Sequence, residues 1–236
     1  LENSFAQMRQ FSSDASHELR TPLTVLQGQN ELILSKPRDP KDYQEVIISN
    51  LEEINYMSKV LEDLFVLSKS DENQILLNCK PMDLRDLAEE VCRHAEVLAG
   101  DKDITIIIAF LESVEINGDE VRLRQMIWNI LHNGIKYTQS GGELKVSLLE
   151  EAGFALFSIQ DTGIGIPEKD LPSIFDRFYQ VDKARSRDEG GSGLGLSICK
   201  HIAEAHKGEI KVESKLGVGT RFKIRIPSTK REANKQ

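Results

Sequence analysis

Two helical repeats of apolar residues, separated by a pair of prolines, constrain the fold of the first part of this chain. Apolar side chains recur at steps of three and four over residues 2–35 and again over residues 42–68, which places them along one face of an α-helix. Between the two repeats, Pro37 and Pro40 are too close together to lie inside a helix. The pattern therefore predicts a hairpin of two long helices.

Each predicted helix carries an apolar stripe on one side. A two-helix hairpin buries little surface by itself, so two copies paired as a four-helix bundle would cover both stripes. We therefore expect a homodimer, and the alternative is that the stripes pack against the rest of the same chain. The stripe residues are Phe5, Met8, Ala15, Leu19, Pro22, Leu26 and Ile33 on the first helix, and Tyr43, Ile47, Asn50, Ile54, Met57, Leu61 and Leu64 on the second.

Beyond residue 78, helical repeats alternate with short apolar runs, which is typical of a sheet covered by helices. The predicted fold class is α plus α/β, in which a dimeric helical hairpin precedes an α/β domain. The predicted division is a helical domain at 1–68, a linker at 69–78, an α/β domain at 79–228 and a polar tail at 229–236. Helices are expected near 83–99, 119–137 and 194–206, and strands near 104–110, 143–149, 154–160, 209–213 and 221–226.

The composition excludes several classes of protein. A formal net charge of −8 argues against a nucleic-acid partner, because binding to a phosphate backbone requires clustered positive charge. The sequence has neither a long apolar run nor a signal-peptide pattern, so we expect these residues to be cytosolic. Cys79, Cys92 and Cys199 lack the CxxC spacing of a zinc site and are interpreted as reduced structural thiols.

One histidine of the first helix stands next to a carboxylate. His17 falls two residues off the apolar stripe, so its side chain is expected to face water, and Glu18 follows it directly. A lone exposed histidine is usually inert, so this helix alone does not decide whether His17 has a function.

A polar strip runs along the predicted helix at 119–137. Asn129 and Asn133 are four residues apart, and Lys136 and Tyr137 follow one turn later on nearly the same face. Amide oxygens suit a hard cation such as Mg²⁺, and a lysine one turn away suits a phosphate that shares that cation. The alternative is an ordinary solvated helix face.

Two glycine-containing loops could bind parts of a nucleotide. Asp161 ends a predicted strand and can accept a hydrogen bond from an exocyclic amine, while Gly163 and Gly165 allow the backbone to approach a flat ligand such as adenine. The loop at 190–197 precedes a helix, where free N–H groups and the helix dipole can hold phosphates. This loop lacks the GK[ST] ending of a Walker P-loop.

Taken in order, these motifs resemble those of the sensor histidine kinases of two-component signalling, over residues 5–227. The resemblance implies a dimerisation and phosphoacceptor domain, followed by an ATPase domain of the gyrase, Hsp90, histidine kinase and MutL superfamily, an α/β sandwich with one helical layer on a mixed sheet. The matching segments are 16–22 for the H box, 129–138 for the N box, 161–167 for G1, 174–179 for the F box and 190–197 for G2, with a third glycine turn at 217–222.

The resemblance also implies roles in the helical hairpin. His17 would accept the γ-phosphoryl group of ATP and pass it to an aspartate in the receiver domain of a response regulator. Glu18 would act as general base, holding one imidazole N–H so that the other nitrogen can attack. Thr21, one turn further on, would help position the water that dephosphorylates the regulator.

In the ATPase domain, the resemblance assigns residues to each part of Mg-ATP. Asn133 together with Asn129 would hold Mg²⁺, Lys136 and Tyr137 would contact phosphate, and Asp161 would contact adenine. The remaining expected ATP contacts are Gly163, Gly165, Ile166, Arg177, Gly191, Gly193, Leu194, Gly195 and Thr220.

One position departs from the family pattern. Many relatives carry an arginine after the Phe-Tyr of the F box, where it can reach the γ-phosphate, but this chain has Gln180. Either catalysis is slower or another cation compensates, and the sequence does not choose between these. The candidate cations are Arg177, Lys183, Arg185 and Arg187.

Two other functions remain open at this point. One is a mechanochemical ATPase of the same superfamily, which would need no phosphoacceptor histidine, and the other is a scaffold that binds nucleotide without transferring phosphate. The resemblance further leads us to expect a signal-receiving, membrane-spanning part upstream, so that the whole protein would lie in the cell (inner) membrane and this part in the cytoplasm.

Overall fold

The computed structural model describes residues 2–71, 77–181 and 191–229, and the side chains of these residues except 2–11 and 69–71. Its first part is an antiparallel hairpin of α1 (Glu2–Leu34) and α2 (Pro40–Asp71). Pro40 is the first residue of α2, where a missing N–H costs nothing. The predicted hairpin is confirmed, although α2 starts two residues before the predicted start and continues three residues beyond the predicted end.

Within this chain, the predicted stripe of the hairpin is only partly covered. Pro22, which lies inside α1, and Ile33 are buried, but Ile47 and Leu61 of α2 are 58% and 52% exposed. Phe5 and Met8 belong to the stripe, but their side chains lie outside the described residues. A row of large apolar side chains along α2 therefore faces outward in the single chain.

The second part is a five-stranded sheet with helices packed on it. The strands are β1 (Lys80–Asp83), β2 (Thr105–Leu111), β3 (Glu115–Gly118), β4 (Glu143–Glu151), β5 (Phe154–Asp161), β6 (Glu209–Lys215) and β7 (Gly219–Pro227). The helices are α3 (Leu84–Gly100), α4 (Glu120–Tyr137) and α5 (Gly195–Ala205), and Leu171–Ser173 forms a 3-10 turn. The strand order in the sheet is β2–β4–β5–β7–β6; β2 pairs with β4 in parallel, and the other pairs are antiparallel.

One face of the sheet is covered by these helices, as the alternating burial along β5 indicates: Ala155, Phe157 and Ile159 are buried and their neighbours less so. The helices α3 and α5 both pack against α4, which places α4 in the middle of the helical layer. The predicted α/β sandwich is therefore confirmed.

The small antiparallel sheet formed by β1 and β3 is absent from the sequence-based prediction. Each of its strands has only four residues, which is too short for alternation to be recognised. The carboxylate of Asp83, at the end of β1, caps α3 by accepting a hydrogen bond from the backbone N–H of Arg85 at 2.9 Å. Asp119 caps α4 in the same way, accepting from the N–H of Arg122 at 3.1 Å.

Among the helices that the structure describes, none is both long enough and apolar enough to cross a lipid bilayer.

Candidate active site

Side chains from both parts of the chain surround one cavity of about 230 Å³. The inner face of α4, the loop after β5, the glycine loop before α5 and the segment 174–181 line it, and one face of α2 closes one side. From the predicted set, the lining contains Asn129, Asn133, Lys136, Tyr137, Asp161, Gly165, Ile166, Gly191, Gly193, Gly195 and Thr220.

The polar strip of α4 faces this cavity and not open solvent. Asn129 and Lys136 are both only 9% exposed, and Asn133 and Tyr137 lie beside them as half-buried lining residues. The side-chain nitrogen of Asn129 donates to the carbonyl oxygen of Gly195 at 3.4 Å, which ties α4 to the first residue of α5. The amide oxygen of Asn129 is then the atom that can bind a cation.

Asp161 is buried at the end of β5, and backbone donors fix its carboxylate. Its Oδ1 atom accepts from the N–H of Gly163 at 2.9 Å and from that of Thr220 at 3.0 Å. Burial raises the pKa of Asp161, and these two hydrogen bonds work in the opposite direction because they favour the ionised form. The carboxylate thus lies on the cavity wall in one orientation.

The glycines after Asp161 are required by packing within the protein, a contribution that the sequence-based prediction does not include. A Cβ on Gly163 would lie 2.5 Å from the carbonyl oxygen of Tyr137, and one on Gly165, where φ is +70°, would lie 2.1 Å from that of Lys215. Both glycines therefore let protein backbone pack against protein backbone. Gly163 itself lies outside the cavity lining, and its contribution is the hydrogen bond to Asp161.

The third glycine turn supports this loop from the other side. Gly217 donates its N–H to the carbonyl oxygen of Ile164 at 2.7 Å, and a Cβ on Gly219 would lie 2.1 Å from the carbonyl oxygen of Asp161. The turn between β6 and β7 thus holds the ends of the G1 segment in place.

The glycine loop packs against the segment that precedes it. Gly193 has a φ of +70°, and a Cβ on it would lie 2.7 Å from the carbonyl carbon of Phe178. Phe178 itself has a positive φ of +60°. Leu194 is fully buried outside the cavity lining and begins the turn into α5. Gly190, which the resemblance also places in this loop, lies outside the described residues.

Gln180 contacts the same loop. Its side-chain nitrogen donates to the carbonyl oxygen of Gly191 at 2.7 Å, and both residues line the cavity. Arg177 is half-buried and does not belong to the lining, whereas the predicted alternatives Lys183, Arg185 and Arg187 lie outside the described residues.

The H-box residues lie on α1, outside the cavity lining. His17 is exposed, as predicted, and the Oγ1 atom of Thr21 donates to the carbonyl oxygen of His17 at 3.4 Å. Glu18 is half-buried, and its Oε2 atom accepts a hydrogen bond from the hydroxyl of Tyr56 at 2.9 Å.

Helix α2 also contributes to this cavity, which the sequence-based prediction did not include. Tyr56, Lys59, Val60 and Asp63 all line it. Asp63 is 3% exposed, and its Oδ1 atom accepts a hydrogen bond of 3.4 Å from the side chain of Gln125 on α4. The helical repeat identifies the apolar face of α2 but carries no signal for the element that its polar side chains meet.

Two family models match the chain. Residues 7–73 match the His Kinase A phospho-acceptor domain. Residues 118–230 match the histidine kinase-, DNA gyrase B- and HSP90-like ATPase. The two matches follow each other in the order that the motifs predict.

Histidine kinases are also found among full-length relatives and solved structures. The sensor histidine kinase CusS of Escherichia coli O6:H1 is 36% identical over 228 residues, which are 97% of this chain and 47% of that protein. The structure of full-length ShkA in complex with AMPPNP is 28% identical, with a TM-score of 0.71, and the match covers 95% of this chain and 47% of ShkA. Histidine kinase ThkA in complex with the response regulator TrrA shares the fold, with a TM-score of 0.74 at 23% identity over 97% of this chain and 64% of that one.

This chain spans about half the length of the curated relatives it matches. The two family-model matches follow each other along this chain, and the polar strip of α4, Asp161 and the glycine loop meet around one cavity. The chain therefore belongs to the sensor histidine kinase family, with a phospho-acceptor domain followed by an ATP-binding ATPase domain.

Proposed function

We propose that this chain is an ATP-dependent histidine kinase that phosphorylates His17 and passes the phosphoryl group to an aspartate of a response regulator. The observation that carries the proposal is the cavity in which the polar strip of α4, the Asp161 carboxylate and the glycine loop meet. A nucleotide cavity alone would suit any ATPase of the superfamily. The exposed His17 beside Glu18 favours the kinase over the other two functions.

In the proposed complex, each end of ATP has its own partners. The adenine amine donates to the Asp161 carboxylate, whose orientation is already fixed by two backbone N–H groups. The phosphates lie between Lys136 and the N–H groups of the glycine loop at the start of α5. Lys136 is buried in the cavity wall, where a bound phosphate would lie within reach of its ammonium group.

The two asparagines fit a Mg²⁺ ion held mainly by the nucleotide. No group of three or more histidine, cysteine or acidic side chains among the described residues could hold a metal by itself. Amide oxygens from Asn129 and Asn133, together with phosphate oxygens and water, complete the oxygen ligands that Mg²⁺ prefers. When bound, the ion would neutralise charge on the phosphates.

The transfer itself needs only positioning and one base. The lone pair of one imidazole nitrogen of His17 forms a bond to the γ-phosphorus while the bond from that phosphorus to the bridging oxygen breaks and ADP leaves. The other ring nitrogen gives its proton to Glu18, which neutralises the imidazolium. We assign Thr21 to a separate phosphatase reaction, in which it positions a water that attacks the phosphoaspartate of the regulator and releases inorganic phosphate.

A response regulator is the proposed second substrate, and the structure of ThkA in complex with TrrA supports a partner of this class.

We further propose that the chain acts as a homodimer. The large apolar side chains exposed along α2, including Ile47, Ile54 and Leu61, form the stripe that a second hairpin would cover. Since the relatives are about twice as long, we place this part on the cytoplasmic side of a longer membrane sensor.

Incubation with γ-labelled Mg-ATP distinguishes the three functions. A kinase retains label on the protein, and the label then moves to an added receiver domain. Release of labelled phosphate with none retained would indicate a mechanochemical ATPase instead. Binding of ATP with neither labelling nor release would indicate a scaffold.

A further inference from the structure

Tyr56 of α2 contacts both of the proposed functional regions. Its hydroxyl donates to Oε2 of Glu18 at 2.9 Å, across the hairpin from α2 to α1. The same side chain lines the nucleotide cavity, whereas His17 and Glu18 do not. Tyr56 is therefore the residue that touches both the proposed base and the cavity.

The hydroxyl of Tyr56 is the donor in this hydrogen bond. Burial, the negative charge of Glu18 and the hydrogen bond to Glu18 raise the pKa of Tyr56, and Glu53 on the same helix acts in the same direction. The raised pKa keeps the proton on the phenol, and a hydrogen bond from a phenol to a carboxylate is of the strong, charge-assisted kind.

This hydrogen bond leaves the carboxylate able to act. A carboxylate has two oxygens and about four acceptor positions, of which Tyr56 uses one on Oε2. The remaining oxygen can accept the N–H of His17, and its direction is set because the first oxygen is held. Without the Tyr56 hydroxyl, no hydrogen bond from α2 would fix the rotamer of the half-buried Glu18 side chain.

We propose that Tyr56 is a positioning residue for phosphoryl transfer, which fixes the Glu18 carboxylate towards the His17 imidazole. This inference rests on the proposed function. It assigns to α2 a part in the chemistry of α1, beyond covering the hairpin.

The test compares Tyr56→Phe with Ser58→Ala, which removes a hydroxyl from an exposed position on the same helix. The labelling rate at saturating Mg-ATP should fall roughly tenfold in Tyr56→Phe, less than the ~10²–10⁴-fold expected for loss of the base itself. The ATP concentration for half-maximal rate should not change, because the phenylalanine ring still lines the cavity. Ser58→Ala should match the wild type in both quantities.

A second comparison separates positioning from a merely structural role. In a Glu18→Ala background, Tyr56→Phe should cause no further loss, because the group that it positions is gone. Losses that multiply in the double variant would overturn the proposal, and so would an unchanged or faster rate in Tyr56→Phe. If the wild type takes up no label, both the proposed function and this inference are overturned. If the wild type is labelled and Tyr56→Phe is labelled at the same rate, this inference alone is overturned.

Discussion

The side chain of Gln180 donates a hydrogen bond to the carbonyl oxygen of Gly191 at 2.7 Å. It ties the end of the 174–181 segment to the glycine loop, beside the backbone contact between Gly193 and Phe178. The family resemblance leads us to expect an arginine at this position. In this chain Gln180 anchors the loop through a neutral amide, so its contribution is to hold the proposed phosphate-binding backbone in place.

Replacement of Gln180 by glutamate keeps the shape of the side chain but removes the donor. The carboxylate would also repel the carbonyl oxygen of Gly191 and the phosphates of the nucleotide. We expect ATP to bind about tenfold more weakly or worse, which corresponds to roughly 1.4 kcal/mol. Calorimetric titration with Mg-ATP measures this, with the exposed Gln139→Glu as a control for added charge. Equal affinity in the wild type and Gln180→Glu would show that the hydrogen bond does not anchor the loop.

Gly165 and Gly153 form a matched pair for testing backbone packing. Their φ values are +70° and +77°, but a Cβ on Gly165 would meet the carbonyl oxygen of Lys215 at 2.1 Å, whereas Gly153 has open space around it. Gly153→Ala should cost about 1 kcal/mol from conformation alone. Gly165→Ala should cost more than about 3 kcal/mol because backbone must also move. Urea unfolding gives both values, and similar costs would contradict the packing described for the G1 loop.

Asp63 makes the contact between α2 and α4 dependent on pH. Burial raises its pKa to about 6, an effect reinforced by Glu62 and opposed by Lys59 and by the hydrogen bond from Gln125. Because the pKa in the folded chain is above the unfolded value of 3.8, the contribution of Asp63 to stability is complete below about pH 4. It is lost as the pH rises through about 6, where the buried carboxylate ionises.

Asp63→Asn should therefore stabilise the chain at pH 8 by roughly 2 kcal/mol and have little effect at pH 4. Thermal or urea unfolding at both values tests this. As a control, Asp42→Asn changes a carboxylate that is remote from this contact, near the start of the same helix. A stabilisation that is the same at pH 4 and pH 8 would contradict the assignment to ionisation of Asp63.

The exposed stripe of α2 predicts how the proposed dimer can be broken. Ile54 is 47% exposed in the single chain, and a glutamate there would place a charge inside the proposed four-helix bundle. We expect Ile54→Glu to convert the dimer to a monomer in light scattering. Asn55→Glu, at the exposed neighbouring position, should leave it dimeric. A dimer that survives Ile54→Glu would favour an interface elsewhere on the chain.

Much of this arrangement can be predicted from the sequence because its signals are local. The spacing from Asn129 to Lys136 and the position of Asp161 at a strand end depend only on helix and strand periods, and all three residues line the cavity. The roles of Tyr56 and Asp63 depend on which element faces α2, which periodicity does not encode. The backbone packing around Gly165 could not be predicted, because a glycine pattern does not say whether ligand or protein occupies the space.

The proposed kinase function depends most directly on which residue receives the phosphoryl group of ATP. Wild-type chain and His17→Gln should be incubated with γ-labelled Mg-ATP, and the labelled protein should then be exposed separately to acid and to base. We expect label on the wild type only, lost in acid and retained in base, as a phosphohistidine requires. Equal labelling of His17→Gln, or label that survives acid, would contradict the proposed kinase function.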